Sequence, residues 1–82
     1  MRKIIRIDVK EFVIFCTLEN GDRYKYDMSF VKTEQHEMLE PLKDINFFKK
    51  AYLEYGSLAW PNGYDIHVNT IIRDGVKIEQ AA

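Results

Sequence analysis

Two Asn-Gly pairs, Asn20-Gly21 and Asn62-Gly63, constrain this chain more than any other feature. Each lies between segments that alternate apolar and polar residues. Asparagine followed by glycine in that setting is the strongest short-range signal for a β-hairpin. The first pair sits in "LENGDRYKYDM". A two-residue turn there would set Leu18 opposite Arg23, Cys16 opposite Lys25 and Ile14 opposite Asp27. A three-residue loop with Gly21 left-handed instead sets Leu18 opposite Asp22, Cys16 opposite Tyr24 and Ile14 opposite Tyr26. Only the second register gathers Phe12, Ile14, Cys16, Tyr24, Tyr26 and Met28 on one face, because a slip of one residue turns every side chain over. Burial selects the bulged loop. The second pair, in "SLAWPNGYDIHV", repeats the pattern: Pro61 pre-set at the first central position of a type I turn, then Gly63 left-handed. This predicts Trp60 facing Tyr64 and Leu58 facing Ile66.

The remaining chain reads more coarsely. "KIIRIDVK" alternates, with Ile5, Ile7 and Val9 on one side and Ile4, Arg6, Asp8 and Lys10 on the other; "EFVIFCTLE" follows as a second strand. In "SFVKTEQHEMLEPLK", Thr33 is a candidate cap for a short helical turn, and Pro41 biases Glu40 against helix. "DINFFKKAYLEYG" predicts the main helix, 44–55, with Asp44 as N-cap, Ile45, Phe48, Tyr52 and Tyr55 as its apolar stripe, and Gly56 closing it. A helical turn capped by Asn69 follows, and "VKIEQAA" reads as a fraying end. The predicted fold class is α+β: a three-stranded antiparallel meander plus a C-terminal β-hairpin packed on one main helix, in a single domain over residues 1–82.

Length and composition bound the rest. Among 82 residues, 46% are hydrophobic, and a chain this short buries only about 60–65% of its unfolded surface, so nearly every large apolar side chain is needed inside. Twelve basic against thirteen acidic residues leave a net charge of −1, which sets up no global field toward nucleic acid or an anionic membrane. A single cysteine, Cys16, closes no intramolecular disulfide, which fits a reducing cytoplasm. Arg6, Asp8 and Lys10 interrupt any apolar leader, and no run reaches the length of a membrane span.

Chemistry finds few footholds. Cys16, His36 and His67 share no metal-ligand spacing, Ser29 and Ser57 lack a nucleophile-elbow context, and Gly21, Gly56, Gly63 and Gly75 are scattered at turns and form no phosphate loop. The expectation is therefore no enzyme, no cofactor and no metal. Two surfaces stand out. On the outer sheet face, Arg6, Lys10, Arg23 and Lys25 surround an exposed Phe15, a basic surface with one stacking ring, although Asp8, Asp22 and Asp27 interleave with it. On the second hairpin, Trp60 and Tyr64 are amphipathic rings of the kind that anchor interfaces, with Asn62 and Asp65 beside them. The competing reading makes Trp60 core and Asn62 turn chemistry.

The segments "LENGDRYKYDM" and "PLKDINFFKKAYLEYGSLAWPNGYDIHVNTI" resemble a bacterial domain-of-unknown-function family, number 2442, whose fold is described as like the N-terminal domain of a Nitrosomonas protein. The W-P-N-G-x-D core carries most of the resemblance. Leu18 departs from the family's usual Phe, and His67 stands where an acidic residue is usual. The resemblance implies a small cytoplasmic module, sometimes fused to a helix-turn-helix and often encoded beside a second small protein in an arrangement similar to toxin–antitoxin pairs. With no helix-turn-helix expected in the eleven residues after the matched segments, regulation would act through a partner. The expected function is a non-enzymatic protein-interaction or regulatory module, the antitoxin-like half of such a pair, with a protein partner encoded nearby. The alternative is a weak nucleic-acid binder using the outer face. Trp60, Asn62, Tyr64, Asp65 and Phe15 are the candidate contact residues.

Overall fold

The first hairpin adopts the register that burial demands. In the computed structural model, which describes residues 2–80, β2 (Val13–Leu18) pairs antiparallel with β3 (Arg23–Asp27), setting Cys16 opposite Tyr24 and Ile14 opposite Tyr26. Leu18 N donates to Asp22 O at 2.8 Å, and Gly21 has φ 95°. The second hairpin matches its prediction as well. It joins β5 (Ser57–Ala59) to β6 (Asp65–Ile66), with Leu58 opposite Ile66, Trp60 N donating to Tyr64 O at 2.9 Å, and Gly63 at φ 93°.

Ahead of the first hairpin, β1 (Ile4–Lys10) pairs with β2, but its alternation breaks where the register shifts between Ile4 and Arg6. This corrects the sequence reading: Ile4 is buried and Ile5 is 58% exposed. The bulge lets Ile4 turn inward beside Leu18 and throws Ile5 to the outer face. The two-residue turn at Glu11-Phe12 was not foreseen, and Glu11 there has φ 53°.

The predicted helix over 44–55 is replaced by two shorter elements. Asp44 does cap a helix, its Oδ1 accepting from Asn46 N at 2.9 Å, but α1 covers only Ile45–Phe48. The chain then tightens, Lys50 N bonding Phe47 O and Ala51 N bonding Phe48 O, and becomes β4 (Tyr52–Glu54). Two physical reasons stand out. Trp60 Nε1 takes up the Phe48 carbonyl at 2.9 Å. Tyr52, Leu53 and Glu54 gain a full strand partner in Ala59, Leu58 and Ser57, which outweighs a helical stripe whose second half would have lacked a surface to pack on. Gly56 does have positive φ, 77°, but beside Tyr55 at 50°, so the two form a two-residue hairpin turn and not a helix end.

Three further expectations need correction. Residues 29–43 hold three short 3-10 helices, Ser29–Lys32, Glu37–Leu39 and Pro41–Lys43; Thr33 ends the first, and Glu40 is helical despite preceding Pro41. The next helix, α2 (Val68–Asp74), is capped by His67 and not by Asn69, His67 Nδ1 accepting from Asn69 N at 3.0 Å. Residues 76–79 do not fray: β7 (Val76–Glu79) pairs antiparallel with β3. Gly75 makes that entry feasible, since a Cβ there would stand 2.5 Å from Ile71 O. Residues 81 and 82 of the expected fraying end lie outside the described residues.

The result is α+β, with a four-stranded sheet ordered β1-β2-β3-β7 and a three-stranded sheet ordered β4-β5-β6, both antiparallel. One apolar cluster joins them. Ile14, Cys16, Met28, Val31, Leu42, Phe48, Leu58, Trp60 and Ile71 are fully buried within it. Rings cross it in sequence: Phe12 to Phe48 at 5.0 Å, Phe48 to Trp60 at 5.5 Å, and Trp60 to Tyr64 at 5.8 Å between centroids.

Candidate functional site

Strand pairing lays out the outer face of the larger sheet in rows. Arg6, Thr17, Arg23 and Glu79 form one; Asp8, Phe15, Lys25 and Val76 the next; Lys10, Val13 and Asp27 the third. The core residues all lie on the opposite face, which the helices and the second sheet cover. Among the described residues no element covers the outer face, and Ile5 and Val76, 58% and 62% exposed, add apolar area to it.

Charge on this face is mixed. Arg6 sits 3.8 Å from Asp8 and Arg23 3.9 Å from Glu79; the first pair is exposed and the second, with Arg23 half-buried, still open to solvent through Glu79, so both are weak. Ser29 N donates to Asp27 Oδ1 at 2.9 Å, and this backbone bond holds the Asp27 carboxyl below its usual range. Asp74 is likewise held low by its bidentate contact with Arg73, at 2.9 Å through each oxygen. Both shifts favour the ionised carboxylate, the opposite of what a proton-donating acid needs at neutral pH. Two shallow grooves mark the face. One of about 550 Å³ is lined by Ile5, Arg6, Asp8, Thr17, Gly21, Arg23 and Glu79. The other, of about 250 Å³, is lined by Lys10, Glu11, Val13, Phe15 and Lys25. Phe15 thus lies in a groove between two lysines.

The residues singled out on the second hairpin are divided by the fold. Trp60 has no exposed surface and donates to Phe48 O, so in this conformation it offers a partner nothing to touch. Asn62 is half-buried and works locally and at a distance: Oδ1 accepts from Tyr64 N at 3.4 Å, and Nδ2 donates to Met38 O at 2.9 Å. Tyr64 is half-buried against Trp60, and burial, then the charges of Asp65 and Glu34, push its phenol up. Asp65 is exposed. Phe15 lies on the outer face of the other sheet, away from the core cluster in which Trp60 and Tyr64 pack, so the five candidate residues do not form one site.

Cys16 is fully buried, and desolvation raises its thiol from 9.0 to about 12. Among the described residues no group of three or more His, Cys, Asp or Glu is placed to hold a metal ion. No helix among them is long and apolar enough to cross a membrane. Sequence reasoning missed Glu11 and Tyr55, the two non-glycine residues with positive φ among the described residues. Tyr55 is 97% exposed. The signal available for it was the Tyr-Gly pair between "LE" and "SL"; for Glu11 it was the break in alternation at "KEF".

No curated protein and no solved structure matches the chain. A family model does match residues 4–77, nearly the whole of both sheets and everything between them, and the chain belongs to the family described as "Protein of unknown function (DUF2442)".

Proposed function

We propose that the chain is a non-enzymatic protein-interaction module with a regulatory role, the antitoxin-like member of a two-protein pair, sharing the Nitrosomonas-domain fold that its family resemblance implies. The observation that carries this reading is the uncovered face of the four-stranded sheet, where Ile5, Val13, Phe15 and Val76 stand among seven charged side chains. An apolar centre with a charged surround is the usual composition of a recognition surface. Within this reading the W-P-N-G-x-D segment holds the fold: Trp60 and Asn62 each bind a carbonyl of an earlier segment, Phe48 and Met38. Tyr64 and Asp65 remain as a second, smaller contact surface beside it.

The test is co-purification with the protein encoded beside it, using Phe15→Ala and Tyr64→Ala with a melting curve for each. A variant that stays folded and loses the partner locates the interface. Normal binding by both, or no complex with the wild-type chain, sinks the reading.

One observation favours a second reading. Phe15 between Lys10 and Lys25 could stack a base while the lysines meet phosphates. Asp8, Asp27 and Glu79 on the same face oppose it, so affinity for random strands is expected to be weak at physiological salt. Submicromolar binding that falls steeply with salt would promote it.

A further inference from the structure

Tyr55 is the one aromatic side chain that the fold leaves almost wholly outside, 97% exposed at the tip of the β4–β5 hairpin. It sits there with φ 50°, ahead of Gly56 at 77°. Asparagine or glycine would take the first of those positions with less strain. The fold therefore bears a strained residue whose ring gives it almost no burial. Nor is the tip loose. The Gly56 carbonyl accepts from Ile4 N at 2.8 Å, and Lys3 packs so closely on Gly56 that a Cβ there would stand 2.7 Å from its side chain. The ring is held out on fixed backbone, which reduces the entropy lost when it docks.

The other non-glycine residue with positive φ, Glu11, is on the rim of the 250 Å³ groove that contains Phe15. That groove has room for one ring. Phe15 and Val13 provide an apolar floor, Lys10 and Lys25 provide cations for the face of a π-system, and Glu11 provides an acceptor for a phenol hydroxyl. We propose that Tyr55 of one copy docks in the Phe15 groove of a second copy. Tyr55 lies beside the start of β1, through the Gly56–Ile4 bond, and the groove lies at its end, at Lys10. Two copies running antiparallel along β1 would insert a ring into each other, a closed two-fold contact. The contact is small, so association is weak and concentration-dependent. This inference rests on reading the uncovered sheet face as a binding surface.

Sedimentation equilibrium from roughly 10 μM to 1 mM, a range suited to weak association, tests it on the wild-type chain, Tyr55→Asn, Tyr55→Phe and Phe15→Thr, with a melting curve for each. The wild type should dimerise as concentration rises. Tyr55→Asn should melt higher yet lose roughly tenfold or more in association constant. Tyr55→Phe should keep most of it, and Phe15→Thr should lose it while folded. A wild type that stays monomeric overturns the proposal. If Tyr55→Asn dimerises normally and Phe15→Thr does not, the face binds without Tyr55: this proposal fails and the reading of the face survives. If all four dimerise alike, both fail.

Discussion

The turns at Asn20-Gly21 and Asn62-Gly63 are the same device used for different purposes. In both, the residue two before Asn donates its N–H to the residue after Gly: Leu18 to Asp22 and Trp60 to Tyr64. The glycine N–H returns to the same residue, Gly21 to Leu18 O at 2.9 Å and Gly63 to Trp60 O at 3.0 Å, and the Asn Oδ1 accepts from the residue two on. The difference lies in the spare amide. Asn20 Nδ2 bonds Asp22 Oδ2 in its own turn, in solvent, whereas Asn62 Nδ2 bonds Met38 O, 24 residues back and half-buried. The residues leading in differ too: Leu18 is apolar packing alone, while Trp60 also donates to Phe48 O. Local chemistry makes the turn; what is left over after the turn is made decides whether it clasps the rest of the molecule.

The largest expected effect falls on that clasp. Trp60→Ala should destabilise by about 3–5 kcal/mol through the cavity it leaves, and Leu18→Ala by less, about 2–4 kcal/mol. Trp60→Phe, which keeps a ring but removes the indole donor and leaves the Phe48 carbonyl with Ala51 N alone, should still lose about 0.5–1.5 kcal/mol. Chemical denaturation measures all three, and equal losses at Trp60→Ala and Leu18→Ala would break the contrast between the turns.

The shared part of the device should respond equally. Gly21→Val and Gly63→Val each force a β-branched residue into left-handed backbone and should lose about 1–3 kcal/mol. At Gly63 the nearest heavy atom to an added Cβ is Met38 Cε at 3.7 Å, so strain alone sets the loss there. A substitution tolerated at one glycine and not the other would show that the turns are not alike.

Asparagine separates them again, on a smaller scale. Asn62→Ala leaves a half-buried Met38 carbonyl without its partner and should lose about 1–2 kcal/mol, while Asn20→Ala should lose under about 1 kcal/mol. Amide hydrogen exchange over residues 36–40 should quicken in the first variant and not in the second. No change there would mean the Asn62–Met38 bond does not hold the 3-10 segment.

The last effect is silent at neutral pH. Cys16 precedes Leu18 as Leu58 precedes Trp60, and of these two buried residues only the thiol ionises. Its folded pKa, about 12, is raised above the ordinary 9.0, so its contribution is complete below about pH 9 and is lost as pH climbs toward about 12. Wild type should therefore lose stability relative to Cys16→Ala across that window alone. Thiol labelling that outpaces unfolding at neutral pH would contradict the burial.

The sequence by itself determined what a few adjacent residues control. Both bulged turns, the registers they impose, the buried face of β2 and β3, and the Asp44 cap follow from Asn-Gly chemistry, period-two burial and one side-chain acceptor, all local. The candidate contact residues were legible only as types: a tryptophan and a tyrosine beside a turn read equally well as anchor and as core. Tertiary structure decided the rest. Residues 52–54 carry a helical stripe, yet their backbone groups found partners in β5, and the Phe48 carbonyl found Trp60. Ile4 turned inward through a bulge because Leu18 lay opposite. Val76–Glu79 became a strand because β3 had a free edge. In each case the deciding partner lies far along the chain, and a hydrogen bond or buried contact made there outweighs a local preference worth a fraction of a kcal/mol per residue, about 0.7 at most for ordinary residues.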